Sequence, residues 1–248
     1  MLLRHSFVML FGNFTIALRL SAVLFAVQII QIVYFAYPIS DGEAADLALN
    51  TQFWLILFIQ LMVFLITSLW IAVAWHRFIL REEVPTKLLP KFHGWRFWAY
   101  FWQGLLLGTF VTFLSALILV LLLFQKLSEG EYVTFGPQTK LLFSIASAIA
   151  GPVFYRFATI LPAAALGKRF TWGAAWRATK GTTGSLLLVS LVLIGGFRMA
   201  DWFATKLISD NFFLLVLWDI LFQWFGLMIN VSILTTLYGH YVEKRALV

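Results

Sequence analysis

The sequence predicts an all-α fold, a polytopic membrane helix bundle of about six transmembrane helices with cytoplasmic interfacial amphipathic helices and an internal repeat. Three observations predict it. Of 248 residues, 62% are hydrophobic and 12% are charged, with a mean hydropathy of +0.90, whereas a soluble domain is roughly 45–50% apolar and about 25% charged. Six apolar runs are each long enough to cross ~30 Å of hydrocarbon. Basic residues crowd onto one side of those runs. The composition excludes a water-soluble enzyme, and it excludes disorder, which needs low hydrophobicity. The absence of cysteine excludes a disulfide scaffold, thiolate metal sites and a cysteine nucleophile.

The spans follow in order. Arg4 and His5 precede Phe7–Phe14 without a small-residue cleavage site, so this stretch is read as a short interfacial helix and not a removable signal. The first span covers about Ile16–Tyr37 and ends at Pro38. The second covers about Phe53–Trp75, and the third, about Phe97–Phe124, is long enough to tilt. The fourth runs from about Pro137 to Tyr155, on toward Leu161, with Pro152 expected to kink it. The fifth and sixth cover about Gly184–Phe203 and Phe212–Tyr238. None alternates polar with apolar at period two, which argues against an outer-membrane barrel.

Charge sets the orientation. One side holds Arg4, Arg19, Arg77, Arg81, Lys87, Lys91, Arg96, Arg156, Lys168, Arg169, Arg177, Lys180, Lys244 and Arg245. The other holds only Lys126, Lys140, Arg198 and Lys206. By the positive-inside rule the first side is cytoplasmic, which places both termini in the cytoplasm of a bacterium and the chain in its inner membrane. Seven acids lie outside, three inside, and Asp219 within a span, so the net +7 is a topology signal. It does not call for nucleic acid as a partner.

Residues 1–248 form one integral membrane domain, with repeat-like units over about 53–124 and 137–203. The two long cytoplasmic connections look alike. Each opens on an aromatic-basic doublet, His76-Arg77-Phe78 or Tyr155-Arg156-Phe157, contains proline, and closes on Trp95-Arg96 or Trp176-Arg177. Both are expected to hold helices lying in the headgroup plane. Arg77, Arg96, Arg156, Lys168, Arg169, Arg177 and Lys180 would then meet the phosphates of anionic lipids.

Leu161-Pro162-Ala163-Ala164-Ala165, followed by Ala175-Trp176-Arg177-Ala178-Thr179-Lys180-Gly181, resembles a pattern in several bacterial inner-membrane families. These include the membrane domain fused to some glycerophosphoryl diester phosphodiesterases and six-span proteins of unknown function. The resemblance covers some 30 residues well and implies mainly the fold, since no phosphodiesterase domain is present.

No catalytic constellation emerges. The four histidines, at 5, 76, 93 and 240, sit at the cytoplasmic rim with no ligand spacing, so no metal and no cofactor are expected. Glu82-Glu83 resembles the paired glutamates of membrane-embedded prenyl-endopeptidase-like proteins, but the motif's arginine is lysine here; the pair is read as acids compensating a basic loop. Gly181–Ser185 is read as a break between helices. Most of the eleven tryptophans are read as belt anchors at span ends. Gly104 and Gly108, with Ala148 and Gly151, mark close helix packing.

One feature stands above this background. Asp219, Gln223, Gly226 and Asn230 fall at offsets 0, 4, 7 and 11 on one face of the sixth span, within about 60° at 100° per residue. Lipid cannot satisfy such groups, so the stripe should face the bundle. Arg198 and Asp219, at matching depth on adjacent spans, are expected to pair. Two functions stay open at this point. One is a non-catalytic membrane protein that binds a partner complex or organises lipid; the other is a small transporter or lipid-handling permease that uses the polar stripe.

Overall fold

The computed structural model describes residues 1–35, 51–128, 136–208 and 211–247. Helices α1 (Leu2–Gly12), α2 (Phe14–Phe35), α3 (Thr51–Arg81) and α4 (Gly94–Ser128) come first. Then follow α5 (Pro137–Ala158), α6 (Ile160–Leu166), α7 (Trp172–Ala178), α8 (Thr183–Ile208) and α9 (Phe212–Leu237), which runs into a π turn at Tyr238–Val242. No strand occurs among the described residues. Six segments are long and apolar enough to cross a membrane: Phe14–Gln31, Phe53–Arg81, Gly94–Phe124, Gln138–Leu166, Thr183–Ile208 and Phe212–Val242. The expected end of the first span at Pro38 lies outside the described residues.

The bundle is built for an apolar solvent. Trp54, Phe58, Phe113, Leu121, Phe124 and Phe213 are all exposed on the spans, and only 11% of the Gly94–Phe124 window is buried. Water would strip such faces together; hydrocarbon does not. Helix α4 has 35 residues, about 52 Å at 1.5 Å per residue, so it must tilt or protrude beyond ~30 Å of hydrocarbon.

Helix α1 buries Leu2, Ser6 and Leu10 at a spacing of four, while Phe7, Val8 and Phe11 stay exposed. That face lies on α9, where the Ser6 hydroxyl meets Thr236 Oγ1 at 2.9 Å. The neighbouring pairs are α2 with α3, α4 with α5 and α5 with α8, and α9 contacts both α2 and α8. Both ends of the chain therefore sit at the same end of the bundle, which also carries the connections 82–93 and 159–182 and will be termed the basic end.

Those connections depart from expectation. No helix forms over 82–93; Pro85 and Pro90 remove backbone donors and block helical packing of the preceding turn, so the headgroup-plane helix expected in this connection is absent and helix resumes only at Gly94, the start of α4. The second connection holds two short helices. Every residue of α6 is buried, wedged against α3 and α4, so it is a buried plug and not a headgroup helix. Its Ala163-Ala164-Ala165 run permits that approach. Gly167 ends it at φ +73°, with the amides of Gly167 and Lys168 returning to the Ala164 and Ala163 carbonyls at 3.0 and 2.9 Å. Thr171 caps α7 by accepting from the Ala174 amide at 3.2 Å.

Gly151 of α5 supports the expected packing. A Cβ there would stand 2.1 Å from Ser190 Oγ of α8. Ala148 is buried as well, and a Cβ on Gly104 would lie 3.8 Å from Leu161 of α6. Gly108 is a correction, because open space lies around its Cβ direction. One turn of α4 separates the two glycines, and α6 is too short to reach the second.

Candidate functional site

A polar groove in the membrane

The predicted stripe on α9 borders a cavity of about 690 Å³ between α2, α3, α8 and α9. Asp219, Gln223, Gly226 and Asn230 supply one wall; Gln28 of α2 and Ser68 of α3 face them. Phe64, Phe197, Phe222 and Leu227 fill the gaps between these polar groups. A second cavity of about 320 Å³ shares Gln28, Phe64 and Gln223 and adds Gln31 and Gln60. The two form a groove along α2, α3 and α9. Helical spacing alone puts the α9 residues on one face; only the packing of α2 and α3 brings three glutamines, Gln28, Gln31 and Gln60, and Ser68 opposite.

Gln28 is 1% exposed. Its amide nitrogen donates to Thr67 Oγ1 at 2.7 Å and to Ser68 Oγ at 2.9 Å, which leaves Oε1 buried with no partner. Gln223 Oε1 is in the same state. The Asn230 amide donates to Gly226 O at 2.8 Å within its own helix. Asp219 is exposed at the groove wall, and no salt bridge involves it among the described residues. The expected Arg198–Asp219 pair does not form. Arg198 Nε instead donates to Ser144 Oγ of α5 at 2.9 Å. Matching depth was satisfied by a different neighbour, because α8 presents Arg198 to α5 and Phe197 to α9.

Arginines that hold helix ends

The basic residues divide into two sets. Arg77 and Arg156, both expected at lipid headgroups, are each only 7% exposed and bonded to protein, which corrects that expectation. Arg77 donates to Ala165 O at 3.0 Å and to both Glu83 oxygens, through Nε at 2.8 Å and through its terminal nitrogen. Arg81 donates to Leu166 O at 2.8 Å. Two cations of α3 thus satisfy the open carbonyls at the C-terminus of α6, where the helix dipole is negative. Arg156 does the same for α7. It donates to Trp176 O at 2.8 Å and Thr179 Oγ1 at 3.3 Å, with its guanidinium 3.3 Å from the Trp176 ring centre. Arg96 lies over Gly167, where any Cβ would come within 1.9 Å of its Cζ. The repeated arginines therefore lock short helices to long ones.

Lys168 pairs with Glu243 at 2.7 Å, and the hydrogen bond to Glu243 raises its pKa. Arg169, Arg177 and Lys180 are exposed at the basic end. Glu83 is shifted down: partial burial opposes the shift, but the Arg77 hydrogen bond and charge, with His93 and Arg81, outweigh it. Partial burial and Arg77 push His93 the other way from a charged state, below its usual value.

His76 is fully buried. Its Nδ1 lies 2.8 Å from Thr235 Oγ1 and its Nε2 lies 3.2 Å from Tyr100 OH. Thr235 already donates its hydroxyl hydrogen to Val231 O at 2.8 Å, so Nδ1 is the donor to Thr235. This buried histidine ties α3, α4 and α9 together. No metal-binding cluster occurs among the described residues. Compared with protein-family models, curated proteins and solved structures, the chain gives no match. Sequence reasoning found the α9 half of the groove but missed Gln28, Gln31, Gln60 and Ser68. The signal was present as glutamines inside otherwise apolar spans.

Proposed function

We propose that this integral membrane protein takes an amphiphile from the bilayer into the groove beside α9, as a small transporter or lipid-handling permease. The supporting observation is the groove itself, polar on α2, α3 and α9 and apolar between, at a depth where lipid alone cannot satisfy the amides. A bundle that served only as a passive partner platform would be stabler with this space filled. The reading includes a bacterial inner-membrane setting, cytoplasmic termini and no catalytic role. Arg169, Arg177 and Lys180 would hold the basic end to anionic lipid.

The test is purification in mild detergent followed by mass spectrometry of extracted small molecules. Gly226→Leu would fill the groove against Phe197, whose ring stands 3.7 Å from a Cβ built at that position. An amphiphile bound to the wild type and absent from G226L is the expected result. Identical extracts from both would defeat the reading.

A further inference from the structure

We infer that the groove selects an amphiphile whose polar end is a protonated amine carrying N–H groups; this rests on the amphiphile reading above. The groove lining contains one carboxylate and no cationic side chain. Arg198 of α8 is not on the lining; its Nε is turned to Ser144 of α5. A carboxylate without a countercharge at membrane depth is costly, and a ligand ammonium would supply the missing charge.

The hydrogen-bond inventory points the same way. Gln28 Oε1 and Gln223 Oε1 are buried acceptors without donors, and the Asp219 carboxylate would act toward a bound cation as an acceptor only. The neutral donors left on the lining are the Gln223 amide nitrogen, the Ser68 hydroxyl and the second N–H of Asn230, whose own amide oxygen adds another acceptor. A primary ammonium brings three donors and no acceptor, which fits this excess of acceptors. Phe197 and Phe222 also line the groove, and aromatic rings are favourable neighbours for a cation. An anionic head, or a phosphate next to the amine, would meet Asp219 with no cation on the described lining to offset the repulsion. The aliphatic part of the ligand accounts for the apolar remainder of the groove and for its access from hydrocarbon.

The full-length protein in maltoside micelles would be titrated with dodecylammonium, dodecyltrimethylammonium, dodecanol and butylammonium, following the thermal-unfolding midpoint. Dodecylammonium should raise it at the lowest concentration. Asp219→Asn should weaken that effect about tenfold, the scale of one charge-assisted contact, and leave dodecanol unchanged, which also shows that D219N is folded. Equal potency of dodecanol or dodecyltrimethylammonium, or an unaltered D219N, overturns the amine assignment. Equal potency of butylammonium overturns the amphiphile. If head chemistry is indifferent but Gly226→Leu abolishes all binding, the groove stands and this inference alone falls. If G226L changes nothing, both fall.

Discussion

Arg198 Nε donates to the Ser144 hydroxyl across 54 residues of sequence, at 2.9 Å, and so fastens α8 to α5. The Ser144 hydroxyl in turn donates to Lys140 O at 2.8 Å, so it offers its lone pairs to the guanidinium. Among the described residues no ion pair involves the groove carboxylate, Asp219.

Arg198→Met and Ser144→Ala should therefore be non-additive. Each single change should cost about 1.5–3 kcal/mol, the range for a hydrogen bond to a charged group, and the double variant should cost little more than either. Arg198→Met combined with Asp219→Leu should be additive, since the two sites share no contact. Thermal stability in detergent measures both cycles, and coupling in the second with none in the first would invert the assignment.

Arg77→Met and Arg156→Met should each destabilise by about 2–4 kcal/mol, because a buried carbonyl at the end of α6 and a part-buried one at the end of α7 lose their donors. Arg169→Met, in an exposed position, should stay within about 0.5 kcal/mol. Chemical denaturation followed by tryptophan fluorescence would rank the three. Equal effects would mean that burial of Arg77 and Arg156 carries no weight.

Gly151→Val should cost about 1–3 kcal/mol by forcing α5 off Ser190. Gly108→Ala meets open space and should be neutral or slightly stabilising, since Ala is the better helix former. A mild G151V together with a disruptive G108A would show that the helix contacts are elsewhere.

Glu83 ties the irregular 82–93 connection to Arg77, and its lowered pKa carries a pH signature. A carboxyl depressed in the folded state adds stability above its unfolded pKa, and that contribution is lost as pH falls through the folded value. Wild-type stability should therefore drop on acidification below its ordinary value of 4.5. Glu83→Gln should be weaker at pH 7 and lose less on acidification. Parallel pH profiles for the two proteins would remove Glu83 from the account.

Reporter fusions after Val248 and at Glu43 should fall on opposite sides of the membrane, the first cytoplasmic. Matching sides would require an odd number of spans between the termini and a different bundle.

Span number, the broad span limits and the polar face of α9 were legible from the amino acids alone. Each rests on local physics: an apolar run must reach across the hydrocarbon, and offsets of 0, 4, 7 and 11 share a helical face wherever the helix goes. The basic asymmetry was equally plain, because it is a property of composition along the chain. What each arginine does was decided by tertiary structure. Arg77 and Arg156 read as headgroup ligands until α6 and α7 fold back and offer carbonyls, a demand visible only once the chain reverses. Arg198 and Asp219 matched in depth, but depth does not specify azimuth, and rotation of α8 gave Arg198 to Ser144. The groove likewise needed Gln28 and Ser68 brought to Gln223 from 155 or more residues away in sequence. Such contacts depend on helix packing angles, which arise from the summed fit of many side chains and leave no local periodic trace.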